Sequence, residues 1–138
     1  MNYVMWATLA MGTYGIMAVL LKVALKDMPF EVPLVIMNTI LVVTGIVLVV
    51  VRGQSVIAHL SFSWPTLVVL MAGVALTVSV VAFYTALSRG PTSVVVPVFA
   101  MNFAVASILG FIFLGETVTI TRVLGIVLAG GSILLLTR

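Results

Sequence analysis

Long apolar runs alternate along the chain with short clusters of charged, glycine and proline residues. A bilayer's hydrocarbon core is about 30 Å thick, and a helix needs about 20 residues to cross it. Cut at its polar clusters, the sequence predicts five such helices, over residues 3–25, 32–51, 64–87, 92–114 and 119–136. Lys26, Asp27, Met28 and Pro29 stop the first, and Arg52, Gly53, Gln54 and Ser55 the second. Arg89, Gly90 and Pro91 close the third, and Gly115, Glu116 and Thr117 separate the last two. Proline ends helices because it has no N–H to donate and its ring collides with the preceding turn. Ser63 before Trp64 and Pro65 reads as an N-cap with proline in the first turn. The connection from Arg52 through His59 to Ser63 is the longest and most polar in the chain.

The stretch LVVTGIVLVVV, Leu41 to Val51, is mostly β-branched and intrinsically a poor helix former. It is still expected to be helical, because lipid offers no partner for an unsatisfied backbone N–H or C=O. Transmembrane β-strands are about ten residues long and alternate in polarity, which these runs do not.

Composition supports this pattern. Hydrophobic residues make up 64% of the 138 and charged residues 7%, with a mean hydropathy of +1.44. A soluble domain carries about a quarter charged residues to face water, so the expected class is an all-α, multi-pass protein of the cell membrane. There is no cysteine and His59 is the one histidine, which leaves no disulfide, thiolate site or histidine cluster; no cofactor is expected. The six Lys and Arg are scattered and form no basic stripe. That argues against a nucleic-acid partner and for residues at the membrane edge, in a chain whose partner is the lipid bilayer. The N-terminus has no basic region before its first apolar run, which is expected to be retained.

Five spans put the two termini on opposite sides. Lys22, Lys26, Arg89 and Arg138 on one side oppose Arg52 and Arg122 on the other. This small excess places the N-terminus outside and also leaves insertion in both orientations open. Asp27, Glu31 and Glu116 fall at predicted helix ends, so no carboxylate is available at mid-span for proton coupling. Lys22, about one turn from its helix end, is expected to snorkel to the edge. With Arg89 and Glu116 it forms the group of interface or anchoring residues.

Uncharged polar side chains at depth are the remaining candidates. Gly73, Thr77, Tyr84 and Ser88 share one side of the third helix at the 3.6-residue period. Tyr3, Trp6, Ala10, Thr13 and Met17 share a face of the first, with Tyr14 beside it. Asn38 and Thr39 mark the second helix, and Asn102 with Ser107 the fourth. The ordinary role of a membrane-helix hydroxyl is a hydrogen bond to its own preceding turn or to a neighbouring helix. An asparagine amide has four hydrogen-bonding sites, which packing alone rarely fills. Tyr3 and Trp6, near a helix end, also suit an interfacial aromatic belt. Small residues four apart, Ala100 with Ala104, Ala106 with Gly110 and Gly125 with Ala129, suit close packing within the chain or at a dimer seam. Gly90 and Pro91 predict a tight hairpin, with Thr92 or Ser93 capping the helix that follows. Pro97 predicts a kink that frees the Ser93 carbonyl about one turn before Asn102, a candidate gate.

Read in order, Tyr84-Thr85-Ala86-Leu87, Gly90-Pro91-Thr92-Ser93, Pro97, Phe113-Leu114-Gly115-Glu116, Thr119, Gly125 and Ala129-Gly130 resemble the C-terminal half of an EamA-type domain of the drug/metabolite transporter superfamily. Trp6, Gly12, Gly15, Lys22 and Pro29 are similar to its first helix, so the resemblance spans nearly the whole chain. It implies a single five-helix domain over residues 1–138. It further implies that two such halves pair antiparallel, as a homodimer, to rebuild a ten-helix carrier. Inverted repeats of this kind allow alternating access around a site near the midplane. The chain departs from the family in its second helix, where many members carry an arginine and this one has Asn38 and Thr39. Nor does its first helix have the buried glutamate of the related small multidrug resistance proteins. The expected function is transport of a small organic metabolite or amphipathic compound, with Trp6, Thr13, Tyr14, Asn38, Tyr84 and Asn102 lining the path. The competing expectation is a non-transporting subunit that assembles with another membrane protein. No nucleophile and base pair, metal constellation or phosphate loop points to an enzyme.

Overall fold

The computed structural model describes residues 2–59 and 63–136, and among them all the regular secondary structure is helical, with no strand. The helices are α1 (Tyr3–Ala24), α2 (Glu31–Val51), α3 (Val56–His59), α4 (Trp64–Arg89), α5 (Thr92–Ala100), α6 (Asn102–Phe113) and α7 (Ile120–Leu136). By length and composition α1, α2, α4 and the combined span Thr92–Phe113 could each cross a membrane, whereas α7 is shorter, at 17 residues. The expected anchor Arg138 and positions 60–62 of the polar connection lie outside the described residues.

Local chemistry sets the helix ends. α2 is helical along its β-branched stretch, and Thr39 and Thr44 each hydrogen-bond the carbonyl four residues back. Glu31 stands in its first turn, where the helix dipole favours negative charge. Its C-terminus closes with Gly53 at φ 60°. The Gln54 N–H bonds the Val49 carbonyl and the Gly53 N–H that of Val50. This is the left-handed turn for which glycine is chosen. Ser63 precedes α4 and its carbonyl accepts from Leu67, while its hydroxyl pairs with Thr66 Oγ1 at 3.0 Å.

Three expectations are corrected. α4 runs two residues past Leu87, to Arg89. Neither Thr92 nor Ser93 caps the next helix: Pro91 is the N-cap, with extended backbone and no side-chain cap bond, and Thr92 is already helical. The reason is that Pro91 can present its carbonyl to Val94 and Val95 without needing a donor of its own. The fourth span is two helices broken at Met101. Pro97 lies inside α5, and the turn after it tightens: the Met101 N–H bonds Val98, three residues back, at 3.2 Å. Ala104 bonds Met101 at 2.9 Å, and the Val105 bond to the same carbonyl stretches to 3.4 Å. Such i to i−3 bonding is the 3₁₀ geometry that marks a strained or hinging point in a helix.

The chain divides into two compact units, Met1–Leu20 with Arg89–Arg138, and Leu21–Ser88. In the first, α5 packs on α7, and Ala18, Ala104 and Gly110 are buried. In the second, Leu21, Pro33, Phe83, Tyr84 and Leu87 are buried, all near the C-terminal end of α1, the start of α2 and the end of α4.

Candidate functional site

In the unit Leu21–Ser88, Lys22 lies in the last turn of α1 and has a partner on α4. Its Nζ donates to the Leu87 carbonyl at 2.6 Å. Leu87 lies in the last turn of α4, where carbonyls lack an intrahelical partner. A cation there satisfies the orphan carbonyl and complements the negative helix end. One turn earlier on α4, buried Tyr84 donates its hydroxyl to Met37 Sδ on α2 at 3.2 Å, with its ring edge-on to Phe83. These two bonds tie α1 to α4 and α4 to α2.

Asn38, next to Met37, is partly buried, and its Nδ2 donates to the Leu34 carbonyl at 2.7 Å. It lines a cleft of about 360 Å³ between α2 and α4, together with Leu34, Val35, Leu76, Thr77, Val80 and Val81. Thr77 donates its hydroxyl proton to the Gly73 carbonyl at 2.9 Å. Asn38 and Tyr84 are thus held on the same pair of helices, with Thr77 across the cleft from Asn38.

The other unit holds Trp6, Thr13, Tyr14 and Asn102. Trp6 is exposed. The Thr13 hydroxyl turns back on its own helix, to Leu9 at 2.9 Å and Ala10 at 3.2 Å. Thr13 borders a furrow lined entirely by α1 residues, Val4 to Ile16, which is a feature of one helix surface and not an enclosed site. The Tyr14 ring stacks on Phe99 of α5, with centroids 5.7 Å apart and planes 7° from parallel. Phe99 stands between Pro97 and the break at Met101, so an α1 aromatic rests on the irregular part of the fourth span. Asn102 is the first residue after the break, and its exposed side chain has no hydrogen-bond partner among the described residues.

Gly90 and Pro91 form the two-residue link between α4 and α5, and Arg89 is the last residue of α4, exposed and favourably placed at a helix C-terminus. Glu116 is folded back. Gly115 at φ 65° turns the chain, the Glu116 N–H bonds the Gly110 carbonyl at 3.3 Å, and the carboxylate rests on the Gly110 backbone. A Cβ at position 110 would lie 3.3 Å from Glu116 Cδ, so the small residue makes room for this acidic side chain.

Sequence reasoning missed Met37 and Phe99 as the partners of Tyr84 and Tyr14. Neither carries a local signal, since each is one apolar residue among many. It also missed the Leu87 carbonyl, although Lys22 lies opposite a helix end whose orphan carbonyls are a general expectation.

The sequence model described as the EamA-like transporter family matches residues 1–138, the whole chain. No curated protein and no solved structure matches it.

Proposed function

The chain belongs to the EamA-like transporter family, and from that premise we propose that it is a carrier of small organic metabolites or amphipathic compounds in the cell membrane. The observation that carries this is the broken fourth span, with an unpartnered asparagine immediately after the break. Irregular backbone at membrane depth is tolerated where it lines a cavity, and carriers build their sites at such discontinuous helices. Asn102 begins ten residues after Thr92, about 15 Å into the span, so its amide stands at a depth suited to a midplane site. On this reading two copies pair as inverted halves, the chain acts as one five-helix domain, and Tyr14 on Phe99 transmits movement of the kinked segment to α1. The chemistry it offers is recognition and not bond cleavage.

Transport of a metabolite panel by purified protein in proteoliposomes tests the proposal. Asn102→Ala is expected to lower the transport rate about tenfold at equal protein level, the worth of one lost hydrogen bond in an apolar site. Pro97→Ala is expected to change the rate while leaving the protein folded. Unchanged kinetics in both variants would remove the fourth span from the mechanism.

A specific observation also favours the second reading, assembly with a different membrane protein. A Cβ built at Gly12, Gly15, Gly45, Gly73, Gly125 or Gly131 would meet nothing within 4 Å. The chain does not use these positions for its own close packing, and small residues are what helix interfaces in lipid need. Crosslinking from Gly125→Cys in a native membrane separates the two: adducts of twice the chain mass support pairing with itself, and adducts of another mass support a distinct partner.

A further inference from the structure

The cleft between α2 and α4 carries more acceptors than donors. Asn38 Nδ2 donates to the Leu34 carbonyl, and a carbonyl oxygen only accepts, so the amide cannot be turned over. Oδ1 is therefore the oxygen left to receive a ligand. Thr77 also lines the cleft and has spent its one hydroxyl proton on Gly73, so its oxygen is left as an acceptor. Around this pair stand Leu34, Val35, Leu76, Val80 and Val81, and among the described residues no lysine, arginine or histidine lines the space. The volume of about 360 Å³ falls in the range of small-molecule sites, which combine apolar walls with a few placed polar groups.

We propose that this cleft is a subsite for a small amphiphile whose head group donates hydrogen bonds, an alcohol or a primary amide, with its apolar body against the aliphatic walls. The head donates to Asn38 Oδ1 and Thr77 Oγ1. The second Nδ2 hydrogen of Asn38 serves a head that also accepts, as both of these do. A carboxylate or phosphate would find that single N–H beside two acceptor oxygens, with no lining cation to balance its charge, and is disfavoured by the same arrangement. The proposal rests on the carrier reading and deepens it by naming the substrate class. It does not draw on the fourth span, so its failure can be told from the failure of that reading.

The test uses the full chain in phosphatidylcholine nanodiscs and four photoreactive probes with one aryl-diazirine body and different heads: alcohol, primary amide, methyl ether and carboxylate. Labelled positions are mapped by mass spectrometry. The alcohol and the amide are expected to label α2 and α4 at this cleft about tenfold more than the ether or carboxylate, the ratio that two hydrogen bonds of ordinary net strength give. Thr77→Val, which keeps the side-chain shape, is expected to lower alcohol labelling severalfold and leave ether labelling unchanged, while Thr77→Ser restores it. Equal labelling by alcohol and ether would overturn the proposal and make the cleft a lipid-filled surface; labelling confined to other helices would also overturn it. The same alcohol is then followed in proteoliposomes. Selective labelling without transport supports the cleft and removes the carrier reading, whereas transport with labelling elsewhere removes the cleft and leaves the carrier reading standing.

Discussion

The two ends of the unit Leu21–Ser88 are both rich in apolar side chains and differ in how they pack. At one end Leu21, Pro33, Phe83, Tyr84 and Leu87 are buried, Lys22 holds the Leu87 carbonyl and Tyr84 holds Met37. At the other, α2 from Ile40 to Val51 and α4 from Leu67 to Ser79 are exposed at almost every position, with Val43 at 52%, Ile46 at 59% and Leu70 at 61%. Hydrophobicity cannot explain the difference, because a leucine gains nothing in lipid by leaving acyl chains for another helix. What the packed end has is directional: an ammonium, an orphan carbonyl and a phenol, each needing a specific partner at a specific distance. The apolar half has no such requirement, and its threonines close their bonds on their own helix.

That contrast orders the effects of mutation on stability, measured by thermal unfolding in detergent micelles. Leu87→Ala, at a fully buried position, is expected to cost most, about 3 kcal/mol, because a cavity opens where side chains already interlock. Lys22→Met keeps the stem and removes the donor, and is expected to cost about 2 kcal/mol by leaving a buried carbonyl unpaired. Tyr84→Phe retains the ring and loses only the bond to Met37, about 1 kcal/mol or less. Ile46→Ala, in the exposed half, is expected to change stability by no more than about 0.5 kcal/mol. An Ile46→Ala cost equal to that of Leu87→Ala would break the comparison. It would mean that the exposed half is covered in the assembled protein, and the same measurement repeated under dissociating dilution would then lose the effect.

The other unit shows the same principle in backbone form. Gly115 and Gly110 let the chain fold back and lay Glu116 against α6, and after the tightened turn at Met101 stands Asn102, whose side chain has no hydrogen-bond partner among the described residues. Polar atoms and irregular backbone, not bulk apolar surface, distinguish one stretch of these helices from another.

Much of this was legible in the chain itself. Five apolar helical stretches follow from where Lys26-Asp27, Arg52-Gly53, Arg89-Gly90-Pro91 and Gly115-Glu116 interrupt the apolar runs, because lipid compels every stretch between them to satisfy its own backbone; four of them are long enough to cross a membrane in the structure and the fifth, α7, is shorter. The EamA resemblance was legible for a related reason: turns and caps need particular residues at particular spacings, and their order survives as a pattern. Which side chains meet was not. That Lys22 donates to the Leu87 carbonyl, that Met37 receives Tyr84 and that Phe99 carries Tyr14 depend on how helices far apart in the chain are set beside one another. A helix is specified by contacts four residues long, so its existence can be read locally. The hydrogen bond between residues 22 and 87 exists only once the Lys22 ammonium has been brought to 2.6 Å from a carbonyl on another helix, and no local pattern encodes that distance.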